Sequence, residues 1–173
     1  DSERTWKLTE RPSTGVSGVF RLGGSLAFLS DLAPAGYRHV PYLDLPWSYQ
    51  MDRSVTGQRL RVGGTVFPKG IGMHSASRLS WRLDQLRPLD GSGSTPSAGP
   101  FRRFRARLAV DDETGTGGSL IGRVFLDNEV KFTSPILHGG SSPVDIDVDL
   151  GSARSLSLVV DYAAKVPTGA HFL

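Results

Sequence analysis

The sequence contains no cysteine, no long apolar run and little that would form helices. Without cysteine, disulfide frameworks, thiolate zinc sites and cysteine nucleophiles are all excluded. No apolar stretch approaches the roughly 20 residues that span a bilayer, so we expect no membrane insertion. No segment repeats apolar residues every three to four positions over ten or more residues. We therefore predict no helix beyond short turns.

The sequence also lacks a large excess of charge of one sign. Lysine and arginine number 20 against 17 acidic residues, which leaves a formal net charge of +3. In the densest basic stretch, strand alternation places Arg103, Arg105 and Arg107 together on a wet face, as expected of a strand with one buried side. A domain with so many acidic residues lacks the electrostatic footprint of nucleic-acid binding. We expect no nucleic-acid partner.

Glycine and proline are abundant, with 21 and 11 residues. Both residues break helices and mark turns, so they favour many short strands. Patterns typical of strands occur at 26–31, 38–44, 58–62, 65–68, 78–84, 102–110, 119–126, 129–134, 143–149 and 154–161. An antiparallel sheet must cover its apolar face with another sheet. The predicted fold class is therefore an all-β antiparallel β-sandwich, with the jelly roll as the preferred topology.

Local patterns make two strand assignments specific. From Val144 to Leu150, apolar residues alternate with three aspartates, which indicates one buried and one solvated face. The Asp127-Asn128 pair lies between two strand-like segments and predicts a tight hairpin turn.

Domain organisation follows from composition. Residues 1–25 lack sustained periodicity and indicate a linker or the end of a preceding module, and residues 26–173 form the predicted sandwich. The low-complexity stretch at about 86–100 predicts a loop insertion. The chain starts at Asp1 without a leader, so we expect an internal fragment or a mature product.

Few residues carry a catalytic signal. The four histidines are scattered without metal-site spacing, and the Gly91–Ser94 stretch is not a nucleophile elbow because no helix follows it. A glycosidase needs two carboxyl groups about 5–10 Å apart. Asp111, Asp112 and Glu113 form a carboxylate cluster on a loop at one end of the sandwich. A solvated loop and a metal-binding or sugar-binding loop remain alternatives there.

Exposed aromatic rings are a second class of candidate binding group, because the C–H groups on a pyranose face stack on such rings. Tyr37, Trp47 and Tyr49 are candidates for such stacking. A buried cap over the sandwich end is an alternative for Trp47. Trp81 alternates with Leu79, so we predict that it lies in the core.

One stretch resembles a known family. The run LRVGGTVFPKGIGMHS at 60–75, followed by Phe104-x-Ala106 and Val110-Asp111-Asp112, resembles the NPCBM/NEW2 family, which is related to carbohydrate-binding module family 51. The resemblance covers about residues 26–162. It implies a galactose-binding-like β-sandwich attached to glycoside hydrolases and other extracellular proteins. Characterised relatives bind galactose-containing glycans and often hold a structural calcium ion.

The resemblance implies a non-catalytic carbohydrate-binding module that is extracellular or periplasmic. Its partners would be a galactose-containing glycan and the other domains of the parent chain. The rival hypothesis is a structural or protein-interaction sandwich without sugar binding. Candidate ligand-binding residues are His74, Asp111, Asp112, Glu113, Tyr37 and Trp47. Candidate calcium ligands are Asp31, Asp44 and Asp52. Residues 165–173 lack the acidic, tryptophan-containing final strand of the family, so the last strand is truncated or different.

Overall fold

The computed structural model describes residues 26–40, 47–86 and 101–163. Within these ranges it contains strands and two 3₁₀ turns, Leu29–Asp31 and Asp112–Thr114, and no α-helix. The strands are β1 (Gly36–His39), β2 (Gln50–Met51), β3 (Leu60–Val62), β4 (Thr65–Phe67), β5 (Ile71–Gly72), β6 (Ser77–Arg82), β7 (Arg103–Leu108), β8 (Ser119–Leu126), β9 (Glu129–Thr133), β10 (Leu137–His138), β11 (Val144–Asp149) and β12 (Ser155–Tyr162). Across the same ranges, no helix has the length and apolar character needed to cross a bilayer.

The larger sheet has six strands, in the order β1-β6-β12-β8-β10, and β9 also pairs with β8. Every pairing is antiparallel. The central strand β12 pairs through Leu158 with Leu79 on one side and with Val124 on the other. Residues directly opposite in a sheet share a face, so these three side chains lie in one apolar row.

The second layer is the antiparallel pair β7–β11, and two short ladders, β2–β5 and β3–β4, complete the described structure. The core lies between the layers, because Ile146 and Val148 of β11 pack with Val124 and Leu156 of the larger sheet. The predicted β-sandwich is therefore confirmed. The alternation from Val144 to Leu150 is confirmed as well, since Ile146, Val148 and Leu150 are buried and the aspartates between them are exposed.

Trp81 anchors the neighbouring part of the core. Only 1% of its surface is exposed, and it packs with Leu32, Leu79 and Leu86. Its indole Nε1 donates a hydrogen bond to the carbonyl oxygen of Leu32 at 3.1 Å. A buried indole N–H needs such a partner, and this one joins the first described segment to β6.

Two hairpins use residues in the left-handed backbone region. Asp127 and Asn128, with φ values of 48° and 70°, connect β8 to β9, as the sequence predicts. Gly63 and Gly64, with φ values of 56° and 78°, connect β3 to β4. Two-residue turns with positive φ match the right-handed twist of the flanking strands.

Some predicted boundaries change. The strand expected at 26–31 is wrong, because amide-to-carbonyl bonds Asp31→Phe28 and Leu32→Leu29 close a 3₁₀ turn there instead. The two-residue strands β2, β5 and β10 carry too few residues to show a period and were not predicted. The expected linker at 1–25, most of the insertion at 86–100 and the divergent end at 165–173 lie outside the described residues.

Candidate functional site

Six aromatic and imidazole rings meet at the end of the larger sheet where β1 and β12 finish and β6 begins. We call this group the ring cluster; its members are Tyr37, His39, Trp47, Tyr49, His74 and Tyr162. The rings come from β1, from the segment before β2, from the loop after β5 and from the end of β12. The cluster unites three of the predicted ligand-binding residues, Tyr37, Trp47 and His74.

His74 lies at the centre of the ring cluster. Its ring centroid is 5.2 Å from that of Trp47, 5.6 Å from that of His39 and 6.4 Å from that of Tyr162. Tyr37 joins the group through His39, with centroids 6.3 Å apart, and Tyr49 joins through Tyr37, with centroids 4.8 Å apart in an edge-to-face arrangement. Tilted and edge-to-face contacts at these distances are the favourable geometries for aromatic pairs.

Strand geometry explains how the β1 rings reach the cluster. Tyr37 and His39 are two positions apart in a strand, so they project from the same face. Their opposite partners in β6 are Leu79, which is fully buried, and Ser77, which is buried. This face covers the core in the middle of the sheet and extends past it at the strand end, where the rings become accessible.

The β2–β5 ladder places Trp47 beside His74. Gln50 pairs with Gly72 in this ladder, so the chain just before β2 and the chain just after β5 leave it side by side. Gly72 is required at this point, because a β-carbon there would lie 2.3 Å from the carbonyl oxygen of Arg53. The close approach of the two chain segments therefore depends on glycine.

The loop that carries His74 is held in one conformation. The Ser77 hydroxyl donates to the carbonyl oxygen of His74, and the Val40 amide donates to the carbonyl oxygen of Ala76 at 2.9 Å. Ala76 adopts a φ of 59°, which is uncommon for a residue with a β-carbon. Such a conformation persists only where the surroundings impose it, and it occurs most often at functional sites.

The loop also determines which nitrogen of a neutral His74 ring is the acceptor. Nδ1 lies 3.2 Å from the carbonyl oxygen of Ser75. A carbonyl oxygen only accepts, so Nδ1 carries the proton in the neutral ring and Nε2 presents a lone pair. A neutral His74 can therefore accept a hydrogen bond from a ligand hydroxyl through Nε2.

The ring cluster is a partly open surface. Tyr37 and Tyr162 are exposed, and Trp47, Tyr49, His39 and His74 are half-buried. These side chains include no carboxylate, ammonium or guanidinium group. The Nε2 atom of His39 is inaccessible and has no hydrogen-bond partner within the part of the chain that the structure describes. The cluster offers ring faces together with a small number of neutral polar atoms, as ligand sites commonly do.

The predicted loop residues Asp111 and Asp112 lie elsewhere, against the β3–β4 hairpin. Both carboxylate oxygens of Asp112 accept from the hairpin turn, from the Gly63 and Gly64 amides at 2.8 Å each. Asp111 accepts from the Arg61 amide at 3.0 Å. Two successive amides in a left-handed turn form a concave anion site, and here the anion is the protein's own side chain.

Glu113 completes this attachment. Its carboxylate accepts from the hydroxyl of Thr56 at 2.7 Å, in the loop before β3. Asp111 also caps the short 3₁₀ turn by accepting from the Glu113 amide at 3.0 Å. The structure thus engages the three acidic side chains in contacts within the fold, away from the ring cluster's contacts. A sugar-binding role for Asp111, Asp112 and Glu113 stays a prediction.

The predicted calcium ligands Asp31 and Asp52 share a cation that the protein supplies. The Lys69 ammonium donates to Asp31 and, at 2.8 Å, to Asp52. The carboxylate of Asp52 also accepts from the Gly70 amide at 3.1 Å. Within the described ranges, no three acidic, histidine or cysteine side chains are placed to hold a metal ion. This pair does not fit a calcium ion, and Asp44 lies outside the described residues.

The pKa values of this group follow from its contacts. Burial raises the pKa of Asp52, but hydrogen bonds from Lys69 and from the Gly70 amide outweigh it, so that pKa lies below its usual value of 3.8. Hydrogen bonds to Asp31 and Asp52 raise the pKa of Lys69 above its usual 10.5. Both shifts favour the charged forms, so Asp52 and Lys69 remain ionised at neutral pH.

The basic stripe of β7 is paired with acid across the sheet. Arg103 and Arg105 both contact Asp147, and Arg107 contacts Asp145 at 3.1 Å. Cross-strand pairs of opposite charge stabilise the register of two strands. These arginines are exposed but largely neutralised, which agrees with the expectation of a solvated face.

Sequence reasoning missed two members of the ring cluster, His39 and Tyr162. The available signal for His39 was its two-residue spacing from Tyr37, which lies directly before the predicted strand at 38–44. For Tyr162 no local signal exists, because its approach to His74 depends on the order of strands in the sheet.

Comparison with known sequences finds a matching family model and a sequence relative. A model of the NPCBM/NEW2 domain matches residues 26–88 and 92–172. A Renibacterium salmoninarum protein assigned as an endo-alpha-N-acetylgalactosaminidase is 32% identical over 104 residues. That match covers 60% of this chain and 6% of the relative, so the chain spans only a small part of the relative's length.

Solved structures share the fold. The CBM51 of a GH95 protein from Clostridium perfringens, in complex with methyl-galactose, superposes with a TM-score of 0.64 at 26% identity, covering 80% of this chain and 88% of that one. The CBM51-2 and INT domains of Clostridium perfringens ZmpB, in complex with GlcNAc, give a TM-score of 0.62 at 23% identity, covering 79% of this chain and 27% of that one.

Proposed function

The chain belongs to the NPCBM/NEW2 family, and from that premise we propose that it is a non-catalytic carbohydrate-binding module whose binding surface is the ring cluster. The observation that carries the proposal is the contact of Trp47 with His74 at 5.2 Å, on the accessible end of the sheet. A sugar ring stacks its C–H face on an aromatic ring, while a neutral acceptor beside that ring receives a hydroxyl.

The ligand class that we propose is a galactose-type glycan. In galactose the axial 4-hydroxyl leaves one continuous apolar face at C3, C4 and C5, which is suited to stacking on a ring such as Trp47. Two comparisons support this choice: a structural relative is in complex with methyl-galactose, and a sequence relative is assigned as an endo-alpha-N-acetylgalactosaminidase. Each new sugar hydrogen bond replaces one to water and nets about 1 kcal/mol, so we expect affinities in the millimolar to micromolar range.

A binding role fits the chemistry of the surface better than a catalytic one. Glycoside hydrolysis requires two carboxyl groups across the substrate, and the ring cluster contains none. The carboxylates of Asp111 and Asp112 already accept hydrogen bonds from the β3–β4 hairpin, and that of Glu113 accepts one from Thr56. We infer that the domain holds a glycan without changing it and directs a longer extracellular protein to that glycan, where several weak contacts act together.

Titration of the folded domain with simple sugars tests the proposal. Methyl-galactoside, N-acetylgalactosamine, N-acetylglucosamine and methyl-glucoside are compared by NMR chemical-shift titration, and glucose is informative because it differs from galactose only at C4. The variants are Trp47→Ala and His74→Ala, with His138→Ala as the matched control, since His138 is exposed and lies on β10.

We expect galactose-type sugars to bind and to shift the signals of His74 and Tyr37. Their affinity should fall in both cluster variants but not in His138→Ala. Equal affinity for galactose and glucose would remove the galactose assignment alone. A folded wild-type domain that binds no glycan on a broad array would replace the proposal with the protein-interaction alternative.

A further inference from the structure

The short β2–β5 ladder has the ring cluster at one end and a charged group at the other. Beyond Met51 and Ile71, the Asp52 amide donates to the carbonyl oxygen of Gly70 at 2.7 Å, which adds one more rung. Trp47 precedes the opposite end of β2 and His74 follows the opposite end of β5. The relative position of these two rings therefore depends on a ladder of very few hydrogen bonds.

Two hydrogen bonds to the Asp52 carboxylate hold the charged end of the ladder together. Asp52 has a φ of 58°, a left-handed conformation that is unfavourable for a residue with a side chain. Its carboxylate accepts from the Gly70 amide at 3.1 Å and from the Lys69 ammonium at 2.8 Å. Interactions of this kind are needed to offset the backbone strain.

Lys69 extends this attachment to a third segment. Its ammonium also pairs with Asp31 of the first 3₁₀ turn, and it lies 5.8 Å from the centroid of the Phe28 ring. The next residue after that turn, Leu32, is buried and accepts the indole hydrogen bond of Trp81. One side chain thus joins the ladder to a segment that is anchored in the core.

We propose that the Lys69 ammonium takes the place of a metal ion between Asp31 and Asp52, and that Lys69 thereby acts as a positioning residue for the ring cluster. A cation between two carboxylates from separate segments is the arrangement by which a structural calcium ion joins loops. Here the cation is covalently part of the chain. The positioning role rests on the proposed function of the ring cluster, whereas the replacement of a metal does not.

The test measures the ring cluster without any sugar. NMR signals of the His74 ring are displaced by the ring current of Trp47, so they report the distance between the two rings. The substitution Lys69→Met removes the ammonium and keeps most of the stem. The matched control is Lys131→Met, because Lys131 is also half-exposed and paired at 2.8 Å, with Glu129, but lies on β9 away from the cluster.

In Lys69→Met we expect the His74 signals to move toward those of an unstructured histidine and the Tm to fall by about 3 °C or more. Lys69→Arg, which retains the positive charge, should keep the His74 signals and the Tm close to those of the wild type. Lys131→Met should leave the His74 signals in place. If Lys69→Met matches Lys131→Met, or if its Tm falls while the His74 signals stay in place, the positioning role is overturned.

A calcium titration followed by Tm tests the replacement of the metal. We expect calcium to have the same effect on wild-type protein and on Asp31→Asn, because the ammonium excludes the ion from this pair of carboxylates. A calcium-dependent rise in Tm that occurs in wild type and is lost in Asp31→Asn would overturn the proposal. Because neither measurement uses a sugar, failure of glycan binding and failure of this inference are distinguishable.

Discussion

Trp47 and His74 lie with their ring centroids 5.2 Å apart and their planes inclined at 49°, although 27 positions separate them in the chain. The two rings come together because the strands next to them pair as Gln50 with Gly72 and Met51 with Ile71. His74 also contacts His39 and Tyr162, so one residue links the ends of three chain segments.

Sugar binding should change the fluorescence of Trp47. A stacked sugar removes water from the indole, so we expect a shift of the tryptophan emission spectrum on addition of methyl-galactoside. Trp81 should not respond, because only 1% of its surface is exposed. In Trp47→Phe we expect the spectral response to vanish, with an affinity loss of roughly tenfold or less, since a smaller ring still stacks. An undiminished response in Trp47→Phe would place the sugar elsewhere.

Asp112→Asn should destabilise the fold and leave sugar affinity unchanged. The carboxylate accepts from the Gly63 and Gly64 amides at 2.8 Å, and loss of its charge weakens both hydrogen bonds. We expect a cost of about 1 kcal/mol, seen as a Tm lowered by roughly 2–4 °C. Asp145→Asn, an exposed residue of β11, serves as the control. A large loss of sugar affinity in Asp112→Asn at unchanged Tm would instead assign this residue to the binding surface.

Acid should weaken the domain in part through Asp52. Its pKa lies below the usual 3.8 because hydrogen bonds from Lys69 and the Gly70 amide outweigh the effect of burial. A carboxyl group whose folded pKa is depressed contributes stability above its unfolded pKa, and the contribution disappears as pH falls through the folded pKa. The free energy of unfolding should therefore decrease below about pH 4 more steeply in wild type than in Asp52→Asn. Equal slopes in urea titrations at several pH values would contradict this prediction.

Trp81→Phe should cost stability without altering the ring cluster directly. The substitution leaves the Leu32 carbonyl oxygen without its 3.1 Å hydrogen bond and opens a gap in the core. An unsatisfied buried acceptor costs about 1–3 kcal/mol, and the lost volume adds to it. We expect a clear drop in the midpoint of urea unfolding with an unchanged sugar Kd at low temperature. A changed Kd in folded protein would show that the core and the binding surface are coupled.

Local sequence pattern determined much of the fold. Neighbouring residues were enough to predict three features, because strand period and turn preference are local properties. These features are the alternation from Val144 to Leu150, the Asp127-Asn128 turn and the solvated arginine face of β7. The sandwich class followed, since apolar faces of that number and length must be covered. Short strands such as β2 and β5 escaped prediction because two residues show no period.

The sequence alone also indicated candidates for the site, among them His74, Trp47 and Tyr37, because aromatic residues in turn-rich stretches and a histidine motif can be recognised without a structure. Only the tertiary structure decided which of the candidates share a surface. The order of strands in the sheet brings His39 and Tyr162 to His74. Asp112 accepts a hydrogen bond from Gly64, 48 positions away in the sequence, and Lys69 pairs with Asp31, 38 positions away. A side chain's partner depends on the pairing of strands that are distant in sequence, and that pairing is determined by burial of the whole core rather than by any local segment.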